Sequence, residues 1–198
     1  MKQQLLEMEE YALENNVPII EKDSIAFIMK FIKANGIKNV LEIGSAIGYS
    51  AILMASSSAD VSVTTIERDE TRYMECLKNV KKCGLDKKIN VVYQDALEVN
   101  LPNEVKYDLI FIDAAKAQNT KFFEKFKYFL ADDGAIITDN INFHGYVGES
   151  KMLDKSNLKS LVEKIEEYVE FLKTNPEFDT KFYDYGDGLA VSVWKNEK

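Results

Sequence analysis

A chain of 198 residues with 46% hydrophobic content is long enough for one domain with a full core, and its charge-free stretches are strand-sized, which excludes a membrane-spanning helix. A net charge of −8 disfavours non-specific wrapping of nucleic acid. Two cysteines, Cys76 and Cys83, are too few for a zinc cluster and fit a reducing compartment; the N-terminus Met1–Glu7 lacks the apolar segment of a secretory leader, so the expected location is the cytoplasm.

In chain order, residues 3–16 read as a helix and Val17-Pro18-Ile19-Ile20 as an extended link, because Pro18 disfavours helical geometry at Val17. Asp23 is the expected cap of a second helix that runs to Asn35, with Gly36 as its terminator. These first 35 residues are expected to cover the cofactor and substrate side. Next comes Val40-Leu41-Glu42-Ile43-Gly44-Ser45-Ala46-Ile47-Gly48-Tyr49-Ser50, a strand, a glycine turn and the start of a helix. Its Gly-x-x-x-Gly spacing differs from the dinucleotide fingerprint Gly-x-Gly-x-x-Gly. Strands follow at 61–67, 89–93, 107–112 and 135–138, with a helix from Asp69 to Cys83 and another from Asn119 to Leu130. Residues 141–155 read as a loop, Ser156 to Lys173 as a helix, and 178–185 with 189–194 as two strands turning on Gly186-Asp187-Gly188.

Alternating strands and helices predict an α/β fold, a mostly parallel seven-stranded sheet with helices on both faces. The hairpin-length final turn requires one antiparallel strand. No repeat or linker interrupts the chain, so a single domain over 1–198 is predicted.

Ligands of open α/β sheets gather beyond the carboxyl ends of the strands, and here strand after strand ends in an acid: Glu67, Asp95, Asp113 and Asp139. Glu67 follows Gly48 by 19 residues, the interval of an acid that accepts from ribose hydroxyls, and Asp95 can accept from an adenine amino group. If the strands ending at Asp113 and Asp139-Asn140 are neighbours, the three side chains start roughly 5 Å apart. Two carboxylates and an amide oxygen suit a hard octahedral ion such as Mg²⁺, and Lys116 would bring an ammonium beside it. The bland alternative for these four residues is a helix cap, a polar turn and a solvated lysine.

The acid before a widely spaced glycine pair resembles motif I of the S-adenosylmethionine (SAM) methyltransferases. Together with Glu67-Arg68, Asp95-Ala96, Phe111-Ile112-Asp113-Ala114-Ala115-Lys116, Thr138-Asp139-Asn140 and Gly186-Asp187-Gly188, it resembles the cation-dependent O-methyltransferases of the catechol and caffeoyl-CoA type over nearly the whole chain. That resemblance implies a Rossmann-like SAM methyltransferase fold, with Asp113, Asp139 and Asn140 as metal ligands and Lys116 as the base. It implies a cofactor site made by Ile20, Glu42, Gly44, Gly48, Ser50, Glu67, Asp95, Ala96 and Asp113, and a homodimer. Within the family, the segments around Val17-Pro18, Ala46–Ile52 and Asp113–Gln118 look closest to the bacterial branch that methylates 5-hydroxyuridine at the tRNA wobble position. The favoured acceptor is therefore a tRNA anticodon loop, and the alternative a small catechol-like or caffeoyl-CoA-like molecule, since both offer two adjacent oxygens to one cation. A SAM- or nucleotide-binding module without catalysis is a third reading, disfavoured because it would need neither metal ligands nor a base. The short stretch before Val17 implies a more open acceptor pocket than the family usually has. Phe143 and Tyr146 are candidates for stacking on a base, His144 lies in the same loop, and Lys121, Lys125 and Lys127 are candidates for phosphate contact.

Overall fold

A computed structural model describes residues 1–102, 104–142 and 156–195. Its helices are α1 (Lys2–Glu14), α2 (Lys22–Ala34), α3 (Tyr49–Ser56), α4 (Glu70–Lys82), α5 (Asn119–Phe126) and α6 (Ser156–Thr174). Its strands are β1 (Asn39–Ile43), β2 (Ser62–Glu67), β3 (Ile89–Tyr93), β4 (Tyr107–Ile112), β5 (Leu130–Asp139), β6 (Phe178–Tyr183) and β7 (Leu189–Trp194). They form one seven-stranded sheet in the order β3-β2-β1-β4-β5-β7-β6. The first five strands pair in parallel, and β7 runs antiparallel to both β5 and β6. This is the predicted mixed, mostly parallel sheet of a Rossmann-like methyltransferase fold.

Period-two alternation divides the sheet's apolar residues between two cores. In β1 and β4, Val40, Leu109 and Phe111 meet the core shared with α1 to α4, while Leu41, Ile43, Ile110 and Ile112 meet that of α5 and α6. The order reverses beside β1, so the carboxyl ends of β1 and β4 flank the crevice where such sheets bind ligands.

Three local expectations are corrected. Asp23 does not cap α2; Glu21 holds the cap position without a side-chain bond, and Asp23 lies in the first turn. The helix expected to reach Leu130 ends at Phe126 and tightens into a 3₁₀ turn over Lys127–Phe129. Strand β5 consequently starts at Leu130, which pairs with Tyr107 before the register shifts and resumes at Ala135 opposite Leu109. The polar run Asp132-Asp133-Gly134 spans that irregularity and masks the strand's early start. By contrast, Asp69 caps α4 as expected, its carboxylate accepting from Arg72 N at 2.9 Å. Phe143, His144 and Tyr146 lie outside the described residues.

The second core centres on Phe123, fully buried, with Tyr168, Phe171 and Phe178 around its ring at 5.0–6.4 Å in edge-on arrangements. Phe123→Ala should cost about 3–5 kcal/mol, because three aromatic neighbours cannot collapse onto one vacated volume. Urea unfolding at neutral pH checks this; a loss under 1 kcal/mol would show that α5 contributes little to the core.

Candidate active site

The first wall is the turn after β1. Gly44 N and Ser45 N donate to the carbonyl of Ile66 at 3.0 and 3.3 Å, and Gly48 N to the carbonyl of Ser45 at 2.7 Å. Gly44 has φ +97°, and a β-carbon on it would lie 2.2 Å from the carbonyl oxygen of Asp113. Only glycine allows that approach. Glu67, at the end of β2 and 7% exposed, closes the turn: its Oε2 accepts from Ala46 N, and its Oε1 from Arg68 N and Asp69 N, each at 2.9 Å. Three backbone donors therefore fix one carboxylate where the turn and the start of α4 meet.

The second wall is acidic. Ile112 of β4 pairs with Thr138 of β5, so Asp113 and Asp139 leave neighbouring parallel strands at the same height. Asn140 follows in the left-handed region at φ +59°, a conformation asparagine tolerates better than most residues, and its Oδ1 accepts from Lys116 Nζ at 2.7 Å. Asp139 is buried and its carboxyl is pushed up to about 7, first by loss of water and next by the charge of Asp113. Asp113 keeps some solvent contact, yet desolvation by the surrounding protein raises its pKa too, with Lys116 acting in the opposite direction. Two carboxylates that destabilise each other's charge, with one ammonium nearby, leave an excess of negative potential. That donor set, completed by the Asn140 amide oxygen, fits a hard divalent cation such as Mg²⁺. Two carboxylates and one amide leave coordination positions open, and no group of three or more His, Cys, Asp or Glu placed to hold a metal ion occurs among the described residues. Water and acceptor oxygens would have to complete the shell.

Both walls face one cavity of about 460 Å³. Of the sequence-predicted residues, Ile20, Gly44, Ser50, Glu67, Asp95, Ala96, Asp113, Lys116, Asp139 and Asn140 line it. Glu42 and Gly48 do not. Gly48 lies behind the turn, where an added β-carbon would come within 2.7 Å of Cys76 Sγ. Glu42 is fully buried beneath the wall; its carboxylate accepts from Ser50 Oγ and, at 2.5 Å, from Thr65 Oγ1. Asp95 also has local work: its Oδ1 accepts from Leu97 N at 2.8 Å, and its Oδ2 pairs with Arg68 at 3.3 Å.

Sequence reasoning missed Tyr49, Arg72, Gln94, Gln118 and Phe122, which also line the cavity. The chain has only two arginines, Arg68 and Arg72, and both stand on this wall. Tyr49 joins the N-terminal helices to the site, its hydroxyl donating to Glu9 of α1 at 2.6 Å while Lys22 of α2 pairs with Glu9 at 2.8 Å. Two of the candidate phosphate contacts are engaged elsewhere. Lys125 Nζ donates to the carbonyl of Val99 at 2.7 Å, and Lys127 is buried between Glu124 and Glu177. Lys121 alone of the three is exposed.

The family model of the O-methyltransferases matches residues 2–195. The chain belongs to that family. This SAM-dependent O-methyltransferase is 31% identical over 183 residues to tapetum-specific methyltransferase 1 of Arabidopsis thaliana, a match covering 90% of this chain and 77% of the plant protein. It is 27% identical over 170 residues to the catechol O-methyltransferase of Niastella koreensis, covering 80% of this chain and 74% of that one. A crystal structure from Staphylococcus aureus, provisionally named a caffeoyl-CoA O-methyltransferase, superimposes with a TM-score of 0.90 at 39% identity, over 96% of this chain and 92% of that one. No described helix of this methyltransferase is long and apolar enough to cross a membrane.

Glu42 gives the site a measurable pH signature. Burial pushes its carboxyl up to about 7, against the lowering effect of the Ser50 and Thr65 hydroxyls and with the charges of Asp113 and Glu67 adding to the rise. The native state therefore binds this proton more tightly than the unfolded chain. Its favourable contribution is complete below about pH 4.5 and is lost as pH rises through about 7, a change of about 3 kcal/mol. Glu42→Gln should flatten the fall in urea-unfolding free energy between pH 5 and 8 by roughly that amount. An unchanged slope would show that Glu42 is ionised in the native state throughout.

Proposed function

We propose that this methyltransferase moves a methyl group from SAM to one hydroxyl of an acceptor carrying two adjacent oxygens, that the reaction needs a divalent cation, and that the acceptor is a small catechol-like or caffeoyl-CoA-like molecule. The observation that carries the proposal is the shared cavity, with the Gly44–Gly48 turn and Glu67 on one side and Asp113, Lys116, Asp139 and Asn140 on the other. Glu67, already fixed by three backbone donors, presents its carboxylate edge to the ribose hydroxyls of SAM. Ile20, on the link before α2, covers the cofactor from the N-terminal side.

A cation held by Asp113, Asp139 and Asn140 would lower the pKa of the acceptor hydroxyl and fix its oxygen. Lys116, whose Nζ is held by the Asn140 amide oxygen, stands beside that position. In its amine form it takes the hydroxyl proton, and the acceptor oxygen then takes the methyl group. The charge lost by the sulfonium reappears as the Lys116 ammonium, which the charges of Asp113 and Asp139 favour.

The names of the catechol and caffeoyl-CoA relatives support a small acceptor. The expectation of a tRNA acceptor draws no support from those names, and two of its three proposed phosphate contacts, Lys125 and Lys127, already have partners within the fold. The deciding comparison is tritiated methyl transfer to catechol and caffeoyl-CoA against transfer to tRNA carrying 5-hydroxyuridine. Turnover of the small acceptors with tRNA inert at low salt is the expected result; the reverse would overturn the small-molecule reading.

Excess EDTA should abolish transfer and Mg²⁺ restore it, while SAM still binds the chelated protein by calorimetry. Full activity in EDTA would remove Asp113, Asp139 and Asn140 from their proposed role. Lys116→Ala should lower kcat by about 10²–10⁴ with little change in SAM affinity, and the defect should shrink as rising pH ionises the acceptor unaided. Parent-like turnover of that variant at neutral pH would make Lys116 structural.

A further inference from the structure

The turn Gly186-Asp187-Gly188 and the buried start of α2 meet at Asp139. Ser24, in the first turn of α2, is fully buried. Its Oγ lies 3.4 Å from Asp139 Oδ1 and 3.2 Å from the carbonyl of Tyr185, the residue that enters the turn. Asp139 Oδ1 also accepts from Asn140 N at 2.8 Å. Both hydrogen bonds that the described residues give this carboxylate thus go to one oxygen.

The turn holds the backbone just beyond. Ile141 N donates to the carbonyl of Gly188 at 3.2 Å and Asn142 N to that of Asp187 at 2.9 Å. Gly186 has φ +55°, and a β-carbon on it would lie 2.3 Å from Ser24 Oγ. The bare α-carbon is what lets the hydroxyl sit between the turn and the acid. The one hydroxyl hydrogen of Ser24 is shared between the Tyr185 carbonyl and Asp139 Oδ1, so the serine ties two distant segments to one carboxylate orientation.

We infer that Ser24, seated against Gly186, is the positioning residue of Asp139: it engages Oδ1 and so directs Oδ2 toward the divalent cation. The inference rests on the proposed metal dependence. A carboxylate held in one orientation loses less freedom when it coordinates an ion, so the hydroxyl acts on metal affinity rather than on the cofactor.

The test uses the full chain saturated with SAM and reads Mn²⁺ binding by electron paramagnetic resonance titration, with SAM affinity measured separately. Ser24→Ala should weaken Mn²⁺ binding about five- to tenfold, the effect of one ordinary hydrogen bond, as a 3.4 Å contact that shares its hydrogen with the Tyr185 carbonyl should give, and leave SAM affinity within about twofold. Ser24→Cys, which keeps the volume filled but donates weakly, should weaken Mn²⁺ binding in the same direction and guards against a folding defect in the alanine variant. Gly186→Ala should weaken Mn²⁺ binding in the parent, and less when added to Ser24→Ala, because its nearest clash, at 2.3 Å, is then gone while the strain of φ +55° and the 3.2 Å approach to Glu21 remain.

Unchanged Mn²⁺ affinity in the Ser24 variants would overturn the inference, as would an equal loss of Mn²⁺ and SAM affinity, the mark of general loosening. Fully additive losses would break the link between the turn and the hydroxyl. A parent protein that binds no Mn²⁺ would instead remove the metal reading itself, and this inference with it.

Discussion

The site depends on one contact, the approach of Gly44 to the carbonyl of Asp113. With no side chain between them, the turn after β1 and the acidic end of β4 share a wall, and a single methyl group there would push them apart. The contact is possible because β1 and β4 are parallel neighbours in register, Ile43 opposite Ile112. The same register carries on from Ile112 to Thr138 and brings Asp139 and Asn140 alongside. The glycine turn and the acid cluster are therefore products of one pairing pattern.

Crowding acids into this space has an energetic cost, and the fold treats each acid differently. Glu67 is met by three backbone donors, the N–H groups of Ala46, Arg68 and Asp69. Glu42, with only two hydroxyls and no cation in contact, lies close to its own titration at neutral pH. Asp113 and Asp139 oppose each other's charge and are relieved in part by Lys116. Such opposed groups are poor contributors to stability and well suited to ligand binding, because a cation bound between them would recover what folding gave up.

Much of this was legible in the sequence where short-range rules apply. The strand-ending acids were visible as the last residues of β-branched runs, and Asp69 as a cap. The sheet's parallel order then brought Asp113 beside Asp139. Glu42 was harder to place because its residue type points to a site while its strand position points away. It shares a sheet face with Val40, toward α3, so it meets Ser50 from below. Arg72, Gln94 and Gln118 come from separate elements that no local pattern joins; topology alone gathers them. The early start of β5 escaped notice because its polar residues fall where the pairing with β4 is broken.

The placement of Arg68 and Arg72 makes the chain chemically asymmetric. Its positive charge is otherwise carried by lysines, many on the surface, whereas both guanidinium groups belong to the cavity wall. Guanidinium and ammonium differ in reactivity as well as shape. A dicarbonyl reagent selective for arginine therefore has two side chains to modify in this chain, and both belong to residues that line the cavity.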